Sequence, residues 1–209
     1  MKTAPLILAS TSPYRHQLLE RLAIPFTVES PNIDESQLPN ETPKELVQRL
    51  AREKAFVIAK QNPGAVVIGS DQIAVIDGKI TGKPGTHAVA VEQLRSASGK
   101  EIVFYTGLCC YKVLENSPAY TLPTVKASLN DHVQIAVVPF KVVFRNLSDE
   151  QIHRYLKRDR PYNCAGSFKS EGLGVVLFDR LIGDDPSALM GLPLIKLTTM
   201  LDMAGVSVL

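Results

Sequence analysis

The chain opens with four apolar residues, Leu6-Ile7-Leu8-Ala9, that run through Ser10-Thr11-Ser12 into Pro13. A short apolar run reads as a buried strand, and proline suits the first helical position because the N–H it lacks is unsatisfied there anyway. Ser12 is the expected N-cap. The helix carries Leu18, Leu19 and Leu22 and must end before Pro25, after which Phe26-Thr27-Val28 reads as the next strand. Strand, loop, helix, strand commits the chain to an α/β fold, and the remainder keeps the alternation. Thr42-Pro43-Lys44-Glu45 is a capping box with proline at N1, followed at helical spacing by Leu46, Val47, Leu50, Ala51, Lys54 and Ala55. Val66-Val67-Ile68 reads as a buried strand that delivers Gly69-Ser70-Asp71-Gln72 at its end, before residues 73–76 and an Asp77-Gly78 hairpin signal. Residues 88–94 read as a helix, 102–111 and 133–144 as strands. Ser148-Asp149-Glu150-Gln151 caps a further helix, 166–174 form a glycine-punctuated loop, and a final helix holds Leu194, Leu197 and Leu201. Over 114–132 the periodicity lapses around Pro118 and Pro123, which reads as an elaborated hairpin or loop. No repeat or compositional break marks a second domain, so residues 1–209 are read as one.

Composition narrows the function. At 45% hydrophobic and 21% charged residues the chain is an ordinary globular one. A formal charge of +2 is too balanced for a broad nucleic-acid footprint, so no nucleic-acid polymer is expected as partner and any anion recognition must be local. Cys109, Cys110 and Cys164 form neither a CxxC pair nor a disulfide framework, which points to a reducing compartment. The apolar run at 6–9 is far shorter than a signal-peptide core, and nothing approaches the roughly 20 apolar residues of a membrane span. The cytoplasm is the expected location, and no membrane partner is expected. The four histidines form no HExxH or His/Cys cluster, which leaves a zinc site without support.

Four groups of residues can carry chemistry. Ser10-Thr11-Ser12-Pro13-Tyr14-Arg15 stands at a strand-to-helix junction, where free N–H groups, hydroxyls and Arg15 can converge on phosphate oxygens; an ordinary capped helix start has the same residues. Asp71 can coordinate Mg²⁺ or orient a water, with Glu35 as a second metal oxygen; the alternatives are an aspartate capping a turn and a solvated acidic loop. Lys54 and Lys83 suit triphosphate neutralisation only as members of a group. Gly166-Ser167-Phe168-Lys169-Ser170-Glu171-Gly172-Leu173-Gly174 permits close backbone approach to a ligand, with Glu171 as a hydrogen-bond acceptor, and equally describes a tight loop. The GxxxxGK[ST] phosphate loop and the GxGxxG fingerprint are both absent.

Taken in order, Leu8-Ala9-Ser10-Thr11-Ser12-Pro13-Tyr14-Arg15, Leu50-Ala51-Arg52-Glu53-Lys54-Ala55, Gly69-Ser70-Asp71-Gln72, Gly82-Lys83-Pro84, Tyr105-Thr106-Gly107 and Gly191-Leu192-Pro193-Leu194 closely resemble the Maf-like pyrophosphatases. The resemblance spans nearly the whole chain apart from 114–132. It implies an elongated α/β fold around a twisted mixed sheet, a cleft between two lobes, a homodimer, and cleavage of a nucleoside triphosphate between its α and β phosphates with Mg²⁺ or Mn²⁺. By motif it implies Asp71 as proton acceptor, and Ser10, Arg15, Glu35, Lys54 and Lys83 as phosphate or metal ligands. At Tyr14, Gln72 and Glu171 the branch that cleaves dTTP and UTP carries arginine, threonine and glutamine. Gln72 and Glu171 instead resemble the 7-methyl-GTP branch, and Tyr14 keeps an aromatic ring where that branch has tryptophan. A stacked tyrosine and a carboxylate suit a positively charged 7-methylguanine. The competing expectations are dTTP or UTP cleavage by the same fold, and a non-catalytic nucleotide-binding regulator.

Overall fold

The computed structural model describes residues 4–113 and 132–209, so all but the last residue of the 114–132 segment lies outside the described residues. Strand β1 (Leu6–Ala9) leads into helix α1 (Pro13–Glu20), whose N-cap Ser12 accepts from the Arg15 backbone N–H with Pro13 in the first turn. Strand β2 (Thr27–Glu29) follows, then helix α2 (Pro43–Ala59), where Thr42 and Glu45 satisfy each other's backbone donors as the capping box requires. Strand β3 (Val66–Ile76) turns at Asp77-Gly78 into β4 (Lys79–Thr81). Helix α3 (His87–Ala97), strands β5 (Glu101–Lys112) and β6 (His132–Phe144) and helix α4 (Asp149–Asp159) come next. The last stretch holds β7 (Phe178–Ile182), short 3-10 turns at Ala165–Ser167, Leu173–Leu177 and Pro186–Met190, and helix α5 (Leu194–Met203).

The strands form a mixed sheet in the order β2-β1-β3-β5-β6-β7, with β4 also beside β3. β1 is parallel to β2 and β3, and the remaining pairs are antiparallel. One expectation is corrected here. The strand begun at Val66 does not stop before Gly69-Ser70-Asp71-Gln72 but runs through it to Ile76, because β5 pairs with it without interruption from Val67↔Tyr111 to Val75↔Val103. That ladder overrides the turn preference of the local residues. On its other side β3 is paired with β1 only as far as Ala9↔Gly69 and with β4 only from Ala74↔Thr81. Residues 70–73 therefore border a gap in the sheet, at the point where the chain leaving β1 turns off into α1.

Alternation along β1, β3 and β5 sorts the core into faces. α2 covers one: Ala51, Ala55 and Phe56 pack with Ile7, Val67, Cys109 and Tyr111. α1 and α5 cover the other, where Leu18, Leu19, Leu197 and Leu201 meet Leu8, Ile68 and Leu108. Beyond the gap a second cluster joins α3 and α4 to the far halves of the long strands through Leu94, Ile152, Leu156, Phe104 and Phe144. Phe168 sits among Phe104, Phe144 and Phe178 with ring centroids 5.3, 5.7 and 4.9 Å away, which anchors the glycine-punctuated loop.

The α2 face is unusually close to the sheet. A Cβ on Gly69 would lie 2.1 Å from the Ala51 carbonyl oxygen, and one on Gly107 would lie 2.1 Å from that of Val47. Gly107 is the cross-strand partner of Asp71, so both glycines lie on the face to which Asp71 points. Their missing side chains bring α2, and Lys54 on it, down to Asp71. Among the described residues no helix is long and apolar enough to cross a membrane.

Candidate active site

The gap beside β3 opens into a cleft of about 760 Å³. All nine residues singled out in the sequence line it, although they come from strands, helices and loops scattered from Ser10 to Glu171. Its centre is Lys54, whose Nζ lies 2.7 Å from Asp71 Oδ1 and 2.7 Å from Glu35 Oε1. Lys54 and Asp71 are 5% and 7% exposed, whereas Glu35 reaches in from an exposed loop. A buried ammonium needs such partners, since an unpaired charge there would cost several kcal/mol, about 3–5 on loss of a partner.

Electrostatics favour the charged form of Glu35. Burial pushes the Glu35 carboxyl up, but the hydrogen bond and charge of Lys54, helped by Lys83 and Arg15, outweigh it and leave the carboxyl below its ordinary value. A depressed carboxyl contributes stability above its unfolded pKa and loses it as pH falls through the folded one, so the Glu35 contact weakens below roughly pH 4.3. Lys54→Met is expected to move Glu35 titration upward, as followed by carboxyl carbon NMR; an unmoved titration would mean that the pair does not form in solution.

The loop that carries Glu35 is held by a residue that sequence reasoning passes over. Arg49 on α2 donates through Nε to Glu41 Oε1 at 2.6 Å and through Nη2 to Glu41 Oε2 and the Ser36 carbonyl, each at 2.9 Å. A bidentate fork of this kind fixes direction as well as distance. Its only sequence signal is an arginine on α2, which is no signal by itself.

In the same cleft, Ser10 accepts at Oγ from the Ser12 N–H (3.1 Å) and lies 3.5 Å from Arg15 Nη1. Arg15 Nε donates to the Gly191 carbonyl at 2.8 Å. Burial lowers the Arg15 pKa, and Asp71 and Glu35 oppose that shift, so the guanidinium keeps its charge. Lys83 stands exposed at the rim in the turn after β4. Hydroxyls, a helix N-terminus and three cations thus border one space, which suits a polyphosphate.

The third part of the cleft holds Tyr14 and Glu171. The Tyr14 hydroxyl lies 3.8 Å from Cys164 Sγ. Burial raises the Tyr14 phenol, and Cys164 and the Glu171 charge add to this, so the ring stays neutral. Burial likewise raises the Cys164 thiol, with Glu171 in the same sense and Tyr14 opposing. Gln72 is placed differently from these two. Its amide nitrogen donates to the Ala188 and Leu189 carbonyls at 2.7 and 3.0 Å and lies 3.2 Å from Thr106 Oγ1. Among the described residues no group of three or more His, Cys, Asp or Glu side chains converges, so the oxygen donors at the centre are the two carboxylates beside Lys54.

Residues 5–204 match the model of the family described as Maf-like protein. The 7-methyl-GTP pyrophosphatase of Nitrosococcus oceani is 51% identical over 204 residues, covering 98% of this chain and 95% of the relative. The proteins of the same name from Methylobacillus flagellatus and Colwellia psychrerythraea are each 49% identical, covering 98% and 100% of this chain and 99% and 96% of theirs. The chain belongs to the Maf-like family.

Proposed function

We propose that the protein hydrolyses 7-methyl-GTP between its α and β phosphates, giving the nucleoside monophosphate and pyrophosphate. The observation that carries this reading is the buried Lys54–Asp71 pair, joined by Glu35 and lining one cleft with the Ser10 and Arg15 anion cradle. Full-length relatives at about half identity named 7-methyl-GTP pyrophosphatase support the substrate.

Glu35 and Asp71 both reach the same ammonium, so two hard oxygen donors converge on one point. Mg²⁺ is commonly held by one or two carboxylates plus substrate phosphates, and this donor set fits Mg²⁺ or Mn²⁺. Such a cation, when bound, supplies neutralising charge to the phosphate oxygens. The chain's own groups do the rest. Arg15, Lys54 and Lys83 offset charge that builds on the pyrophosphate leaving group, and the Ser10 hydroxyl and α1 N-terminus orient phosphate oxygens. Asp71 takes the proton of the attacking water as the water oxygen bonds to phosphorus and the bridging P–O bond breaks.

At the other end Tyr14 can stack on the positively charged 7-methylguanine, and Glu171 can accept from its N1 and N2 hydrogens. Uracil and thymine lack both the charge and the paired donors, which would leave the carboxylate unpaired. Glu171→Gln is expected to lower the ratio of 7-methyl-GTP to UTP turnover by about tenfold. An unchanged ratio would remove Glu171 from base recognition.

The deciding experiment is pyrophosphate release from purified protein with and without Mg²⁺ or Mn²⁺, on 7-methyl-GTP, GTP, UTP and dTTP in parallel. Preference for UTP or dTTP would overturn the substrate. Nucleotide binding without release would overturn the activity in favour of a regulator. Three unpaired cysteine thiols support a cytoplasmic location. Family membership supports a homodimer, which light scattering on the eluted protein tests.

A further inference from the structure

The loop that brings Glu171 to the cleft hangs on Lys169, two residues before it. The backbone N–H of Lys169 donates to the Tyr155 hydroxyl at 3.1 Å, and its carbonyl accepts from the Gly172 and Gly174 N–H groups at 3.3 and 3.1 Å, which closes the chain around Ser170 and Glu171. Its Nζ donates to the Asp159 carbonyl at 2.7 Å and lies 3.9 Å from Asp159 Oδ1. Asp159 is the last residue of α4, where carbonyls lack helical partners and a cation meets the negative end of the helix dipole. The Tyr155 hydroxyl donates to Asp159 Oδ2 at 2.8 Å, since an ionised carboxylate only accepts, and its oxygen is left to receive the Lys169 N–H. Burial raises the Tyr155 phenol and Asp159 adds to this, against the Lys169 N–H, so the proton stays on the hydroxyl.

Two glycines let the loop close. A Cβ on Gly174 would fall 2.3 Å from the Lys169 carbonyl oxygen, and one on Gly172 would fall 3.2 Å from Asp159 Oδ1. Ser170 and Glu171 line the cleft, whereas Tyr155, Asp159 and Lys169 stand behind its lining, with Tyr155 buried. Glu171 is exposed, and Ser170 Oγ lies 3.3 Å from its Oε2. An exposed carboxylate has little packing of its own, so the direction from which it meets a base is set by the backbone that carries it. We propose that Tyr155, Asp159 and Lys169 are positioning residues for base selection: they clamp the 169–174 loop to the end of α4 and act on the nucleotide through Glu171. This rests on the reading of Glu171 as the acceptor for 7-methylguanine.

The test uses Tyr155→Phe, which removes the hydroxyl and keeps the ring, and Lys169→Met, which removes the ammonium and keeps the stem, each alone and combined with Glu171→Gln. Each single variant is expected to lower the ratio of 7-methyl-GTP to UTP turnover by about threefold to tenfold, bounded by the loss that Glu171→Gln itself causes. In the Glu171→Gln background the same changes are expected to leave the ratio within about twofold, because the group they act through is gone. A general loosening of the fold would lower both turnovers and leave the ratio alone. An unaltered ratio in either folded single variant overturns the proposal, and so does a loss that persists undiminished beside Glu171→Gln. Lys169 is partly exposed, so its variant carries the test should Tyr155→Phe not fold. The wild type and Glu171→Gln report on base recognition by themselves: a preference that Glu171→Gln lowers and the other variants keep sinks the clamp alone, whereas a preference that Glu171→Gln keeps sinks the reading and the clamp with it. If the wild type turns over none of the nucleotides, the activity fails separately, and the ratio of affinities for 7-methyl-GTP and UTP replaces the turnover ratio with the same outcomes.

Discussion

Asp71→Asn is expected to lower pyrophosphate release, assayed in the presence of Mg²⁺, by about a thousandfold, within the range found when a positioned general base is lost. The fold should survive, because Lys54 retains Glu35 at 2.7 Å and the amide oxygen of asparagine can still accept from Nζ. Parallel measurement of turnover and of the melting temperature separates the two effects. Lost turnover with an unchanged melting transition supports a chemical role for the carboxylate. Retained turnover would remove Asp71 from the reaction, and a collapsed transition would show that the Lys54–Asp71 pair holds the fold. The second outcome has a definite physical route, since an under-compensated buried ammonium is among the costliest defects a core can carry.

Gly107→Ala carries the largest expected effect on stability. The new Cβ would fall 2.1 Å from the Val47 carbonyl oxygen, a backbone atom of α2 that cannot swing aside as a side chain would. Relief requires α2 to rise from the sheet, which also breaks contacts of Val47, Leu50 and Ala51. The loss is expected to be about 3 kcal/mol, the upper part of the range for overpacking a core, or roughly 6–12 °C in melting temperature for a chain of this length. Activity should fall further than the folded fraction does, because the same displacement carries Lys54 away from Asp71. A variant with unaltered melting and turnover would show that the helix does not need this approach. Gly69→Ala makes the equivalent clash with Ala51 one pair of residues away and serves as an independent repeat.

Features governed by neighbours in the chain are legible in the sequence alone. The caps at Ser12, Thr42 and Ser148, the Asp77-Gly78 hairpin and the α/β alternation are of this kind. So is the membership of the cleft, although each residue by itself has a plainer explanation; only the order of the motifs joins them. What is hidden is long-range. Local residues place Asp71 at a strand end, and only the pairing of β3 with β5 shows it mid-strand beside a gap. The 3-10 turns and β7 are short and lack a clear period, so nothing announces them. The hydrogen-bond partners of Gln72 are carbonyls 116 and 117 residues away in the chain. Gly69 and Gly107 are motif letters whose purpose emerges only when a helix lies across them.

The charges in the cleft have a kinetic consequence. Arg15, Lys54 and Lys83 share the space with Glu35, Asp71 and Glu171, so three cations face three carboxylates and the charged groups that line the cleft sum to zero. The chain as a whole carries only +2. A triphosphate several Debye lengths away therefore meets almost no guiding field, and its encounter rate should resemble that of uncharged partners, with slight sensitivity to ionic strength. Recognition is deferred to the last few ångströms, where individual groups are resolved. A cleft balanced in this way gives no long-range advantage to the many other polyanions of a cell, and discrimination begins at contact.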